Sequence, residues 1–578
     1  MTYRKNIKGA EALLLALLEE GVDTVFGYPG GAIMPLYDEM YGYRDRINHI
    51  LVRHEQGAVH AAEGYARSSG KTGVCMATAG PGATNFVTGI ADAMLDSTPL
   101  VCITAQVGKE NLGSDFFQEA DMISITIPVT KWSYQITRAE EVPSVVAKAF
   151  HIASSGRPGP VVISFTKNAQ VEKTDFFYDR ESFLKDLCRP CGSPSLSPSA
   201  DIAAEAAGMI NRAERPLIVA GHGVIISGAE KSLRELAFRA NVPVATTLLG
   251  LSCFPTDSPL YVGNAGMHGH LAANRMTQKA DLLLAVGMRF SDRTTGVPSG
   301  YAPDARIIHI EIDPTEIGKN VRTDLPVNAD AKASLEAIVS GVEYRDRTGW
   351  FAYADECRRE EADVVRRRDF SPSAFSVTGD RPGGWIKMGQ VVDAVARLGD
   401  PDGIKVSDVG QNQMFAARYS KFGKSGRWIT SGGLGTMGFG LPAAIGAKVA
   451  MPGSQVVAFL GDGGFQMTIQ ELGTVMQTGA AVKIIVFDNT YLGMVRQWQE
   501  LFYDRRYSFT RLVNPDFVSL VSSYGIKASR VYDPSELDRA VKELLEYDGP
   551  AFLEVDTDPG ENVFPMVPAG ATLDTIML

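Results

Sequence analysis

Two side chains set the first reading: Asp462, in VVAFLGDGG, and Asn489, in KIIVFDN. Each follows a short apolar run of the kind that forms a buried strand, at 456–460 and 483–487. Between them, 465–477 carries Ile469, Leu472, Val475 and Met476 at helical spacing, which predicts a helix. Strand, helix, strand at this length is a βαβ unit with parallel strands. Asp462 and Asn489 then stand at the carboxyl ends of those strands, where open α/β sheets bind ligands. A carboxylate and an amide oxygen are hard ligands suited to Mg²⁺, which takes phosphate oxygens and water as its other partners. Gly461, Gly463 and Gly464 let a phosphate approach the backbone. Gly-Asp-Gly alone is an ordinary turn, and the whole strand–turn–helix–strand–Asn arrangement is what makes it specific.

A second carboxyl is placed in the same way. Glu55, in RHEQGA, follows an apolar run at a strand end or helix start, a position the helix dipole also favours for an acid. FGYPGGAIMPLYD (26–38), with Gly30, and the stretch 77–107 are Gly-rich strand-to-helix turns open to a ligand. GSDFFQEAD (113–121) carries Phe117 and Gln118, whose amide can donate to a developing alkoxide. Core packing for Phe117, a surface place for Gln118 and a solvated ammonium for Lys131 are the plainer readings.

These residues need a large frame. A chain of 578 residues exceeds what one core fills and divides into several domains. Its 45% hydrophobic and 21% charged residues are ordinary for a globular enzyme, and a net charge of −11 argues against a nucleic-acid surface. No apolar run approaches membrane-spanning length, and LLLALL at 13–18, between Glu11 and Glu19, reads as an amphipathic helix. Cys188 and Cys191 form a lone CxxC with no second pair to complete a zinc site, and scattered cysteines point to a reducing compartment, the cytoplasm. Alternating helix and strand patterns mark α/β units at 1–168, 201–340 and 384–578. Between them, 169–200 and 341–383 read as linkers, the second with a solvated charge run at 358–368, and the irregular C-terminal tail reads as a lid. Similar size and class in the first and third units suggest a duplication.

The Gly-Asp-Gly unit with Asn489 resembles the thiamine-diphosphate motif of thiamine-dependent enzymes. There the Asp, the Asn and a backbone carbonyl two residues on, here that of Tyr491, hold Mg²⁺ on the diphosphate. RHEQGA resembles the family's second signature, whose Glu hydrogen-bonds N1′ of the pyrimidine ring and promotes its imino tautomer. GMHG (266–269), LLLAVGMRFSDRTTG (282–296), IHIEIDPTEIGKN (308–320), SDVGQNQMFAA (407–417), SGGLGTMGFGLPAAIGA (431–447) and YLGMVRQWQELFY (491–503) extend the resemblance. Over about residues 5–570 the chain is similar to the catalytic large subunits of acetolactate synthase, also called acetohydroxyacid synthase.

That resemblance implies an α/β fold of three doubly wound parallel-sheet domains: pyrimidine-binding, central FAD-binding and diphosphate-binding. It implies catalytic roles for Glu55, Gln118, Phe117 and Lys131. Thiamine-diphosphate contacts would be Gly30, Val409, Gly410, Gln411, Asn412, Gly435, Met437, Asp462, Gly463, Gly464 and Asn489, with Met437 propping the cofactor into a bent shape. Asp462, Asn489 and Tyr491 would hold the metal. FAD, structural in this family, would meet Arg157, Gly221, Gly223, Thr247, Leu248, Met267, His268, Gly287, Arg289, Glu311, Ile312 and Asp330. Arg293 would receive the carboxylate of the second 2-oxo acid and Trp498 would shape its pocket; an ion pair and a core aromatic are the plainer readings. The implied reaction decarboxylates pyruvate and joins its two-carbon unit to pyruvate or 2-oxobutyrate, in branched-chain amino-acid synthesis. A homodimer or homotetramer with the site between subunits, and a small regulatory subunit, complete the expectation. The chain departs from the family pattern at Asp488, Asn412, Phe415, His222, Glu311 and 163–168, where Asn, His, Trp, Gly, Asp and IDIPKD are usual. The rival readings are another thiamine-dependent carboligase or decarboxylase, a flavin-dependent pyruvate oxidase, and a non-catalytic homologue, which would be expected to lack Glu55 or Asp462.

Overall fold

The computed structural model describes residues 3–185, 197–371 and 384–578. Three sheets of six parallel strands form, one in each α/β unit, as the sequence leads one to expect. The central strands are apolar along their whole length, because helices cover both faces; Leu100–Gln106 is buried at every residue.

Strand order identifies where ligands belong. The first sheet runs Asn48–Leu51, Thr24–Tyr28, Gly73–Ala77, Leu100–Gln106, Pro160–Thr166, Trp132–Ile136, an order of 2-1-3-4-6-5 counted along the chain. The third runs Trp428–Thr430, Ile404–Ser407, Val456–Gly461, Val482–Asp488, Ala551–Asp556, Lys527–Val531, which is the same order. The middle sheet runs Tyr261–Asn264, Val244–Thr246, Pro216–Ala220, Leu282–Val286, Arg306–Ile310, Leu325–Val327, or 3-2-1-4-5-6, the order of dinucleotide-binding sheets. The middle order reverses direction once; the other two reverse after their second strand and step back again at the last; the crevice at the first reversal is the expected binding place.

The first and third units pack through two helices, Glu55–Ser69 and Gly440–Ala450. Glycine lets them touch backbone to backbone. A Cβ on Gly64 would lie 2.0 Å from the Ala443 carbonyl oxygen, and one on Gly446 would lie 1.8 Å from that of Ala61.

Several local readings change. The single helix expected over 465–477 is two, Asp462–Met467 and Leu472–Thr478, joined by the 3₁₀ turn Ile469–Glu471. Thr468 at the break donates its hydroxyl to the Gly438 carbonyl, 2.9 Å away, a bond no local pattern encodes. Within 169–200, the strand Lys173–Phe177 returns to pair antiparallel with Tyr3–Lys8 and the helix Arg180–Leu184 follows; Cys188 and Cys191 lie outside the described residues. Within 341–383, the helix Thr348–Glu361 continues through Ala362–Arg366 and Arg367–Phe370. Its charges are not all solvated: Glu361 pairs with Arg418, and Asp369 accepts from the Tyr419 hydroxyl at 2.7 Å. The C-terminal tail lies on the middle domain, where the Val567 N–H donates to the Met267 carbonyl at 2.8 Å.

Candidate active site

Asp462 and Asn489 end neighbouring strands, so their side chains converge above one edge of the third sheet. Asp462 is almost fully buried. Its Oδ2 accepts from the Thr490 N–H at 2.9 Å and the Asn514 amide at 2.8 Å. The same Asn514 amide donates to Asp488 Oδ1 at 2.8 Å, so one side chain bridges two carboxylates. Burial, then the charge of Asp488, pushes the Asp462 carboxyl up to about 8. Among the described residues neither acid has a Lys or Arg partner, which leaves acidity for a divalent cation to compensate. Thr490, β-branched, is held at φ 56°, a strained left-handed conformation. That turn brings the Tyr491 N–H to Asn489 Oδ1 at 3.0 Å. Gln411 Oε1 accepts from the Asn489 amide at 3.3 Å, so Gln411 orients the Asn489 side chain. Asn412 instead donates to the Asp408 and Phe459 carbonyls at 2.8 and 3.1 Å, tying two strand ends together behind the site.

The loop 431–440 is moulded by carboxylates from elsewhere. Asp92 and Asp96 lie one turn apart on the first-domain helix Val87–Asp96. Asp96 accepts from the Gly432 and Gly433 N–H groups at 3.0 and 2.6 Å and pairs with Arg67 at 3.4 Å. The Ser431 hydroxyl donates to Asp92 at 2.5 Å, while its oxygen accepts from the Gly435 and Thr436 N–H groups at 3.0 and 2.8 Å. Burial holds the carboxyls of Glu63 and Asp92, close neighbours in the interior, well above the ordinary range, and holds His60 beside them below the ordinary imidazole range. Asp408, buried, then accepts from Gly438 at 3.0 Å and Gly440 at 2.8 Å. Met437 is thereby fixed between two anchored glycines, with its methyl carbon 3.5 Å from where a Gly463 Cβ would sit.

Glu55 opens its helix at the carboxyl end of Asn48–Leu51. Its carboxylate accepts from the Asn85 amide at 2.9 Å, and a Cβ on Gly82 would lie 3.0 Å from it. Gly30 packs on Thr78 across that sheet's own reversal, where a Cβ would lie 2.5 Å from the threonine. Gln118 sits at φ 64° against Gly80, and Phe117 is 86% exposed rather than part of a core. Lys131 is neither solvated nor beside Glu55. Its ammonium donates to the carbonyls of Ile152 and Ser155 at a helix end, and burial lowers it to about 8.

A cavity of about 850 Å³ opens where the three domains meet. It is lined by Val409, Gly410 and Gly435 of the third domain, by Arg293 and Trp498, and by the middle-domain residues Gly223, Thr247, Leu248, Met267, His268, Gly287, Arg289, Glu311, Ile312 and Asp330, with Arg157 from the first domain. Gly221 lies just behind, at the end of Pro216–Ala220, where a Cβ would meet the Gly287 carbonyl at 2.3 Å. Backbone on backbone at this reversal leaves a cradle that side chains would fill. The Arg289 guanidinium has no hydrogen-bond or ion-pair partner among the described residues, a vacancy suited to an anionic group. Arg157 is already paired with Glu316 at 3.1 Å and Asp313 at 3.4 Å. Burial pushes the Glu311 carboxyl up to about 7. His222 bonds the Asp96 carbonyl at 3.0 Å and joins the two domains. Glu55, Gln118, Asp462, Asn489 and Met437 do not line this cavity, and the bonds of the Glu55 side chain stay within its own domain.

Sequence reading missed Asp92, Asp96, Asp408, Glu471 and Asn514. Each was visible only as an unremarkable acid or amide, and each acts on groups far along the chain.

Three family models match the chain in order. They are the thiamine pyrophosphate enzyme N-terminal TPP binding domain over residues 7–125, the central domain over 203–338, and the C-terminal TPP binding domain over 408–555. Among curated relatives, a probable acetolactate synthase large subunit of Methanocaldococcus jannaschii is 44% identical over 580 residues, covering 99% of this chain and 95% of the relative. The acetolactate synthase large subunit of Parasynechococcus marenigrum is 44% identical, covering 98% and 90%. The acetolactate synthase isozyme 2 large subunit of Escherichia coli is 42% identical, covering 98% of each chain.

Proposed function

The chain belongs to the thiamine pyrophosphate enzymes, among the acetolactate synthase large subunits, and on that footing we propose that it decarboxylates pyruvate and joins the two-carbon unit to pyruvate or 2-oxobutyrate. The observation that carries this reading is that Arg293 and Trp498 face one cavity with Val409, Gly410 and Gly435, a guanidinium and an aromatic wall beside the cofactor loop.

Thiamine diphosphate, when bound, supplies a carbon nucleophile and an electron sink. Asp462, Asn489 and the Tyr491 carbonyl would hold Mg²⁺ beside it. Val409, Gly410, Gly435, Gly463 and Gly464 would admit it to the backbone, and Gln411 steadies Asn489. Met437 would pack against it. Glu55 would exchange a proton with its pyrimidine ring. Gln118 donates its amide to oxygen that gains negative charge. Arg293 receives the carboxylate of the second acid, and Trp498 walls its side chain. FAD would be held in the middle-domain cradle, with Arg289 placed for its diphosphate and Gly221, Gly223 and Gly287 allowing close approach. Glu311 and Asp330, each with one oxygen taken by a backbone N–H, that of Asp313 and that of Ala333, would keep the other for its hydroxyls.

The active site is shared between two copies. Glu55 lies away from the cavity of its own chain, and Phe117, Phe509 and Val513, 86%, 98% and 92% exposed, suit coverage by a second copy. The relatives' description as large subunits supports a smaller partner. No described helix is long and apolar enough to cross a membrane, and the free buried thiols Cys75, Cys102, Cys253 and Cys357 support a reducing, cytoplasmic setting. The test is incubation with pyruvate, Mg²⁺ and thiamine diphosphate. Acetolactate is the expected product; acetaldehyde alone, or bleaching of flavin with an acceptor present, would mean a decarboxylase or an oxidase.

Two variants probe this reading. Asp488→Asn keeps an oxygen for the Asn514 and Thr490 donors but removes one negative charge beside Asp462. Thiamine diphosphate with Mg²⁺ should bind roughly tenfold tighter, a modest part of the ~4 kcal/mol between unit charges 4 Å apart at an effective dielectric of 20. Weaker binding by titration would make Asp488 a helper of the metal instead. Trp498→Leu removes the wall for the extra methylene of 2-oxobutyrate, worth about 0.8 kcal/mol by area and more in a shaped pocket. With both acids competing, the ratio of acetohydroxybutyrate to acetolactate should fall about tenfold. An unchanged ratio would take Trp498 out of the acceptor pocket.

A further inference from the structure

The turn that presents Glu55 is not held by its own domain alone. Glu471, in the 3₁₀ turn after the Gly-Asp-Gly helix, is fully buried at the junction of the first and third domains. Its Oε1 accepts from the Arg53 and His54 N–H groups, both at 3.0 Å. Its Oε2 accepts from the Thr474 hydroxyl at 2.6 Å. Those two N–H groups immediately precede Glu55, so the carboxylate caps the entry to its helix from another domain. The helix Leu472–Thr478 also grips the side chain of Arg53, which donates to the Gly473 carbonyl at 3.0 Å and to Gln477 at 2.8 Å. Gly57 makes room for the carboxylate: a Cβ there would lie 2.6 Å from Glu471 Oε1. The contact is closed on every side, by two backbone donors, one hydroxyl and one glycine.

We propose that Glu471 is a positioning residue for the reaction, setting the place of the Glu55 carboxyl by fixing the backbone of residues 53 and 54. It touches neither the metal ligands nor the cavity, so its effect falls on the proton that Glu55 handles and not on cofactor affinity. The inference rests on the reading of Glu55 as the partner of the pyrimidine nitrogen.

Three variants separate the two. Glu471→Ala leaves both N–H groups without their acceptor. Glu471→Gln keeps the accepting oxygen, and Thr474 can turn to accept from the new amide while its hydroxyl donates to the Leu51 carbonyl, 3.3 Å away. Gly57→Ala attacks the contact from the helix side, where alanine otherwise favours helix and should not unfold the protein. The readouts are the exchange rate of the C2 proton of bound thiamine diphosphate, the affinities for that cofactor and Mg²⁺, and amide hydrogen exchange over residues 52–57 in the cofactor-free protein. Glu471→Ala and Gly57→Ala should slow C2 exchange tenfold or more, leave both affinities within about threefold, and speed amide exchange at 53 and 54; Glu471→Gln should restore all three. Wild-type C2 exchange in Gly57→Ala and Glu471→Ala, or loss of cofactor affinity in step with it, would overturn the positioning role. If Glu55→Gln itself leaves C2 exchange unchanged, the fault lies with the reading of Glu55 instead.

Discussion

Replacing Glu55 by glutamine should lower turnover roughly 10²-fold or more, the usual scale for a general acid–base group. The substitution keeps the shape of the side chain and keeps an oxygen to accept from Asn85, 2.9 Å away, so the helix start should survive. What is lost is a group able to exchange a proton with a ring nitrogen. Asp462, Asn489 and Tyr491 are untouched, so binding of thiamine diphosphate and Mg²⁺ should change far less than the rate. Steady-state kinetics at saturating cofactor, beside a binding titration, make the distinction. Near-normal turnover would remove Glu55 from the chemistry. On the proposed reading, in which Glu55 of one copy completes the site that holds Asp462 of the other, mixing Glu55→Gln chains with Asp462→Ala chains should also restore activity, through hybrid pairs in which one of the two sites has both groups.

What could be read along the chain was what the chain keeps local. Asp462 and Asn489 belong to one βαβ unit, and the periodicity of 456–489 fixes both at strand ends without help from the rest of the molecule. Arg293 and Trp498 became legible through longer resembling stretches, and the cavity gathers them with the loop glycines. Asp408, Asp96 and Glu471 escaped because their function is to accept from backbone N–H groups remote in sequence, and a tertiary acceptor leaves no period. The break at Thr468 escaped for the same reason, since its cause is the carbonyl of Gly438. The strand Lys173–Phe177 was hidden by its shortness and polarity, which suit an edge pairing with Tyr3–Lys8 and resemble a linker. Phe117, whose plainer sequence reading is core packing and whose family resemblance implies a role in the site, is 86% exposed in the single chain, because no described residue of its own chain packs over it.

Two aspartates on one helix should respond to very different degrees. Asp96 faces donors and a cation: the N–H groups of Gly432 and Gly433, and Arg67, itself buried. Asp96→Ala strips both N–H groups of their acceptor and leaves the guanidinium without its counter-charge, a loss of about 3–5 kcal/mol for a broken buried pair. Asp92 faces a second acid. Burial, and then Glu63 beside it, hold its carboxyl well above the ordinary range, and it accepts from the Ser431 hydroxyl. Asp92→Asn keeps an oxygen for that bond, so it should cost no more than about 1 kcal/mol, the scale of one neutral hydrogen bond. Denaturant unfolding of the cofactor-free variants measures the difference. Asp96→Ala should also lose activity, because Gly435 and Met437 hang from the loop it anchors, while Asp92→Asn should keep most of it. Equal destabilisation by the two variants would mean that Asp92 is ionised in the folded protein and that the buried acids share their charge differently. A stable, active Asp96→Ala would mean that Asp92 and Asp408 hold the 431–440 loop without it.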